Sequence, residues 1–271
     1  MVSDGYLIVL GSASIYMFAL YVLAQIKRDS SIVDVGWGLG FFVVAMGLYF
    51  AQSEQNDLFS LVHLLVAIWG LRLFVHILLR KAGKPEDWRY ANWRKQWGSN
   101  HWWRSFLQVF MLQGFLMSVI ALPLVVAWAA EDTNIQWLSV VGILVWVIGF
   151  YFETVGDYQL SQFIKSKSEN VPRKSKKGKK KKQPKFMTRG LWRYTRHPNY
   201  FGEVVQWWGM WLIIVTSTYG LYALASPLLI TFLLLKVSGI PMLEEKWQGD
   251  KEFERYKKRT NAFIPGPQKR K

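Results

Sequence analysis

The chain has 271 residues, 51% of them apolar, with fifteen Trp, no Cys and a formal net charge of +16. The missing Cys excludes disulfides, thiolate metal ligands and Cys nucleophiles. The apolar residues gather into repeated blocks of about twenty, the length that crosses ~30 Å of hydrocarbon, which excludes an ordinary soluble domain and points to an all-α integral membrane protein.

Seven blocks follow in chain order: Tyr6 to Ile26, Ile32 to Ala51, Leu58 to Leu79, Phe106 to Ala129, Ile135 to Gly156, Tyr200 to Val215 and Leu221 to Ile240. The first lacks a basic stretch before it and a small-residue cleavage site, so it reads as a retained span and not a signal peptide. Three links carry no Lys or Arg: Gln52 to Asp57, Ala130 to Asn134 and Thr216 to Gly220. The basic residues lie in Lys27-Arg28, in Arg80 to Arg104, in Lys165 to Arg196 and after Pro241; within spans stand only Arg72 and Lys236. Basic loops stay cytoplasmic, so seven crossings with the N-terminus outside and the C-terminus in the cytoplasm satisfy every link at once.

Two segments are not spans. The tract "VPRKSKKGKKKKQPK", residues 171–185, cannot bury apolar surface and is expected to be disordered, either solvated or drawn to anionic lipid headgroups at about 1 kcal/mol per basic residue near the surface. It has no interleaved aromatics, so no nucleic-acid partner is expected. The tail from Glu244 to Pro267 sets Trp247, Phe253 and Tyr256 among charges, the pattern of an interfacial amphipathic helix under the bundle.

The stretch "TRGLWRYTRHPNYFGEVVQWWGMWL", Thr188 to Leu212, holds most of the chemistry. Pro198 suits the first turn of a helix, whose N-terminus projects unpaired N–H groups, and Arg189, Arg193 and Arg196 add full charges around it. That combination suits an anion arriving from the cytosol, against the plainer reading of snorkelling arginines that anchor a span. Polar residues within the apolar blocks are few: Asp34 opens the second, Arg72 and His76 stand a turn apart in the third, and Glu153 and Asp157 stand a turn apart in the fifth. An Asp34–Arg72 ion pair and ordinary interfacial carboxylates are the plainer readings of these groups. "GWGLG", Gly36 to Gly40, has no strand before it and serves close helix approach. Four scattered His and no Cys give no metal site, and no Ser sits in a nucleophile elbow.

"GDYQL" (156–160), "TRGLWRYTRHPNYFGE" (188–203) and "FERYKKRTNAFIPGP" (253–267) resemble the C-terminal half of the steroid 5α-reductase family. "SIVDVGWGLGFF" (31–42), "EDWRY" (86–90) and "WWRSFLQVFMLQG" (102–114) are similar to its bacterial-type branch, labelled DUF1295. The resemblance implies a seven-helix membrane reductase that moves hydride from NADPH to an activated carbon–carbon double bond of a steroid or isoprenoid-like lipid. Carried over by position, Asn199, Tyr200, Glu203, Asp157 and Tyr158 would hold the nicotinamide or ribose end, with Glu153 beside them. Arg193, Arg196 and His197 would meet phosphate, and Arg72 would reach the cofactor. Asp34 would be the catalytic acid, protonated by burial and donating to the developing enolate. The family's tyrosine, three residues before Arg72, is Trp69 here, and Glu153 stands where steroid-acting members have an amide.

The resemblance thus implies a single membrane domain over 1–271, with four substrate-side spans in 6–129 and three spans with the cytoplasmic cofactor site in 135–267. The bacterial inner membrane is the expected location, with the endoplasmic reticulum as the alternative. Isoprenylcysteine carboxyl methyltransferases share an R-H-P-x-Y-x-G motif followed by paired glutamates, here Glu244-Glu245, and would use S-adenosylmethionine. A lipid-binding protein without catalysis is the third reading.

Overall fold

The computed structural model describes residues 1–51, 56–131, 135–169 and 184–269. The Lys-rich tract, apart from its last two residues, lies outside them. The described residues are helical throughout, with one isolated backbone bridge, Thr195 to Asn261, and they form two compact units. The first contains residues 1–141 and 210–227, the second 142–209 and 228–271.

Six helical stretches are long and apolar enough to cross a bilayer: Val2–Lys27, Ile32–Phe50, Asp57–Lys81, Trp88–Ile120, Trp137–Lys167 and Tyr222–Glu245. Their outward faces stay apolar; on the first, Leu7, Ile15, Phe18 and Ile26 are 54–73% exposed, a surface suited to lipid and not to water. The protein is a multi-pass integral membrane protein.

In the first unit, α1 (Val2–Lys27) ends where Arg28 enters the left-handed region at φ 52°. Asp29 then accepts from the Ser31 backbone N–H at 2.9 Å, and the chain turns into α2 (Ile32–Phe50). Helix α3 (Asp57–Lys81) is capped by the Asn56 side chain, which accepts from the Phe59 N–H at 2.6 Å. Helices α2 and α3 meet where Gly38 faces Gly70: a Cβ on Gly38 would stand 2.3 Å from the Gly70 carbonyl oxygen. The "GWGLG" run therefore brings two backbones together. Around this contact Phe41, Phe59, Val62, Val66 and Trp69 are fully buried.

Next come α4 (Trp88–Trp97), the short α5 (His101–Ser105), a wide turn over Phe106–Met111, α6 (Leu112–Ile120) and α7 (Leu122–Trp128). The apolar block expected as one span from Phe106 to Ala129 is broken at Ala121, because Pro123 starts a new helix and cannot continue the old one. Two polar groups of this core are satisfied by carbonyls: Trp128 Nε1 donates to the Leu48 carbonyl at 3.1 Å, and Ser226 Oγ to that of Ile120 at 2.6 Å.

The second unit is built on α8 (Trp137–Glu169) and α9 (Pro198–Ile214), from residues 142 and up to 209 respectively. Gly142, Gly149 and Gly156 recur every seven residues on α8, and Gly202 and Gly209 do so on α9. A Cβ on Gly202 would lie 2.4 Å from both the Gly149 carbonyl oxygen and the Glu153 nitrogen, and one on Gly209 would lie 2.7 Å from the Trp146 nitrogen. The helices thus touch backbone to backbone along a glycine seam. Beyond α10 (Ala225–Phe232) and α11 (Ile240–Glu245), the tail forms α12 (Lys251–Arg259), capped by Asp250. Its apolar face is used inside the unit: Phe253 and Trp247 pack on Phe186, while Lys251, Arg255, Lys258 and Arg259 stay exposed.

Candidate functional site

The segment before α9 is laced to the tail residue by residue. Gly190, at φ +59°, opens a tight turn against Gln159, whose Oε1 accepts from the Leu191 N–H at 3.0 Å. Trp192 Nε1 donates to the Gly156 carbonyl at 3.1 Å, and the Trp192 carbonyl accepts from Tyr256 Oη at 2.5 Å. Thr195 Oγ1 donates to the carbonyls of Ala262 and Phe263, and the Arg196 N–H bonds the Asn261 carbonyl at 2.9 Å. Burial pushes the Tyr256 hydroxyl above its ordinary pKa.

Three residues expected to meet phosphate have different surroundings. Arg193 is exposed, as is Arg189 before it. Arg196 is 7% exposed and faces inward: Nε and Nη2 donate to Glu244 Oε1 and Oε2 at 2.8 and 3.1 Å, while Nη1 donates to the Thr260 carbonyl at 2.5 Å. A bidentate pair holds a guanidinium in one plane, so Arg196 ties α11 and the tail to the start of α9. His197 joins the same carboxylate, with Nε2 3.0 Å from Glu244 Oε1, and stacks on the partly buried Tyr200 at 10° between ring planes. Its Nδ1 is buried with no hydrogen-bond partner among the described residues.

Below the start of α9 lies a polar strip shared with α8. Asn199 Nδ2 donates to Asp157 Oδ1 at 3.2 Å, and Gln206 Nε2 donates to Glu153 Oε2 at 2.5 Å. Glu153, Asp157, Glu203 and Gln206 are all buried. Asn199 Oδ1 and Gln206 Oε1 are buried acceptors with no hydrogen-bond partner among the described residues. The structure therefore brings together Glu153, Asp157, Asn199 and Glu203, and close by in sequence His197 and Tyr200. Tyr158 stands apart, 63% exposed on the far side of α8. Gln206 was missed in the sequence, although it continues the Asn199, Glu203 face at helical spacing. Glu244 appeared there only as a methyltransferase feature.

Asp34 and Arg72 belong to the first unit. Asp34 Oδ2 pairs with Arg89 Nη2 at 2.6 Å, and Oδ1 accepts from Tyr90 Oη, also at 2.6 Å. Asp34 thus sits between a guanidinium and a phenol hydroxyl, with both of its oxygens engaged. Arg89 Nε also bonds Asp87 Oδ1 at 2.9 Å. Burial works to raise the Asp87 carboxyl, but the bonds from the Arg89 side chain and N–H outweigh it and hold the group below its usual value. Around this core Glu86 binds Arg94 and the Ser30 N–H, so "EDWRY" is stitched to the α1–α2 turn. Arg72 is partly buried in α3, one turn before His76.

A search of curated proteins returned no match to the chain. The model of the family described as "Protein of unknown function (DUF1295)" matches residues 20–260, nearly the whole length, and the chain belongs to that family.

Proposed function

We propose that the chain is a membrane reductase that uses NADPH to reduce an activated carbon–carbon double bond of a steroid or isoprenoid-like lipid. The observation that carries this reading is the acceptor strip of the second unit: Asp157 with Asn199, Glu203, and Glu153 with Gln206, all buried within an apolar helix pair. Two acceptors of the strip, Asn199 Oδ1 and Gln206 Oε1, are buried without a partner among the described residues, and the hydroxyls and carboxamide of a nicotinamide–ribose unit are donors. Exposed Arg189 and Arg193, ahead of α9, are the cations available for phosphate. Arg196 and His197, held by Glu244, position the loop and the first turn of α9. When bound, NADPH would supply the hydride.

The residues of the chain do the rest. Asp157 and Asn199 orient a ribose hydroxyl between them. In the first unit, Tyr90 donates its only O–H to Asp34, and Arg89 neutralises that carboxylate. Seven crossings, counting the 17-residue α9 as the sixth, with the N-terminus outside and the C-terminus cytoplasmic in a bacterial inner membrane, complete the proposal.

One observation favours a second reading. A strip holding three buried carboxylates also suits a cationic cofactor, and S-adenosylmethionine carries both an ammonium and a sulfonium. A melting-shift screen of the detergent-solubilised protein against NADPH, NADH and S-adenosylmethionine separates the two. A selective rise with NADPH supports the reductase, and one with S-adenosylmethionine replaces it with a methyltransferase. No shift with any of the three leaves a lipid-binding protein.

A further inference from the structure

Gln206 is fully buried, and its amide nitrogen is committed twice, to Glu153 Oε2 at 2.5 Å and to the Gly202 carbonyl at 3.3 Å. Both partners are acceptors, which fixes which end of the amide is nitrogen. The other end, Oε1, is left buried with no hydrogen-bond partner among the described residues. A stranded acceptor in an apolar seam is unfavourable unless a donor reaches it. On α8, where the Trp146 backbone lies against Gly209, the Trp146 indole N–H is likewise buried without a partner among the described residues.

Position selects the ligand group. Gln206 lies seven residues beyond Asn199, two turns or about 10.5 Å along α9, and on the same face. If phosphates lie toward exposed Arg189 and Arg193 and ribose hydroxyls at Asp157 and Asn199, the next group inward is the nicotinamide ring. We propose that Gln206 Oε1 accepts an N–H of the nicotinamide carboxamide and so sets cofactor specificity at the ring. The assignment rests on the NADPH reading above.

The test compares NADPH with its reduced 3-acetylpyridine analogue, in which a methyl group replaces the carboxamide nitrogen, by affinity for the full-length protein in detergent. The wild type should bind NADPH about tenfold more tightly than the analogue, the effect of one lost hydrogen bond that strands a buried acceptor. Gln206→Met, close in volume and lacking the oxygen, should weaken NADPH about tenfold and bind both equally. Gln206→Asn, which retracts the oxygen by one carbon, should narrow the preference and serves if the Met variant does not fold. Equal affinity of the wild type for both nucleotides, or an undiminished preference in the variants, overturns the assignment while leaving the NADPH reading in place. A wild type that binds neither removes both.

Discussion

Arg196 and Glu244, 48 residues apart in the chain, form a bidentate ion pair at 2.8 and 3.1 Å, with the arginine 7% exposed. Removing one partner leaves a buried charge without its counter-ion, whereas removing both leaves none. Glu244→Ala should therefore destabilise the protein by about 3–5 kcal/mol. Adding Arg196→Met to it should recover most of that loss. Thermal unfolding of the four combinations checks this, and a double variant no better than the single one would show that the pair is not the clasp.

The glycine seam makes a second contrast. A Cβ at Gly202 would meet backbone atoms of Gly149 and Glu153 at 2.4 Å, and backbone cannot swing aside. At Gly11, on α1, nothing lies within 4 Å. Gly202→Ala should destabilise by about 1–3 kcal/mol or more, the usual range for overpacking. Gly11→Ala should be neutral or stabilising by up to about 1 kcal/mol, since alanine is the better helix former. Melting temperatures in one detergent decide, and similar shifts for the two would refute the close approach.

Much of this was legible in the chain. Pro198 marks the start of α9 because its missing N–H falls where no helical partner exists, and the "GWGLG" run announces the close approach of α2 to another helix. The Asp157–Asn199 contact follows from placing both residues at the same end of neighbouring helices. Long-range pairing was not legible. Nothing local tells that Arg196 turns toward Glu244 while Arg193 faces out, because the choice depends on where α11 and the tail fold. Asp34 was weighed with Arg72 through span spacing, but the turn before α4 brings Arg89 and Tyr90 to it. The break at Ala121 was hidden in an unbroken apolar run.

That Asp34 cluster carries its own prediction. Arg89 serves two carboxylates that keep about a third of their surface exposed, Asp34 at 33% and Asp87 at 35%. Water screens them in part, so Arg89→Met should destabilise by about 1–2 kcal/mol, less than Glu244→Ala. Asp34→Asn should leave NADPH affinity unchanged, because the partners of Asp34 are Arg89 and Tyr90 and not the residues proposed to hold the nucleotide. Titrations of both variants test this, and a large affinity loss in Asp34→Asn would assign the residue to cofactor binding.

The proposed orientation is read with reporters. A reporter fused after Lys271 should report cytoplasm, and one inserted at Gln55 should report the outer side, as the distribution of basic residues requires. Both reporters on the same side would mean that the spans between them number other than the proposal requires, and would move α9 out of the count.

Tyr256 gives the tail a pH limit. Its hydroxyl donates to the Trp192 carbonyl and is buried, which raises its pKa and favours the neutral phenol in the folded state. A group whose folded pKa is raised contributes stability that is complete below its unfolded value, about 10 for tyrosine, and declines as pH rises beyond it. The melting temperature should therefore be insensitive to this residue at pH 7–9 and fall progressively as pH rises above about 10. Tyr256→Phe should lose about 1 kcal/mol at neutral pH through the missing hydrogen bond, yet show a shallower alkaline decline, since the phenol that must stay neutral is gone. Parallel declines in wild type and variant would place the alkaline sensitivity elsewhere, and would leave the Tyr256 bond a packing contact without a titrating role.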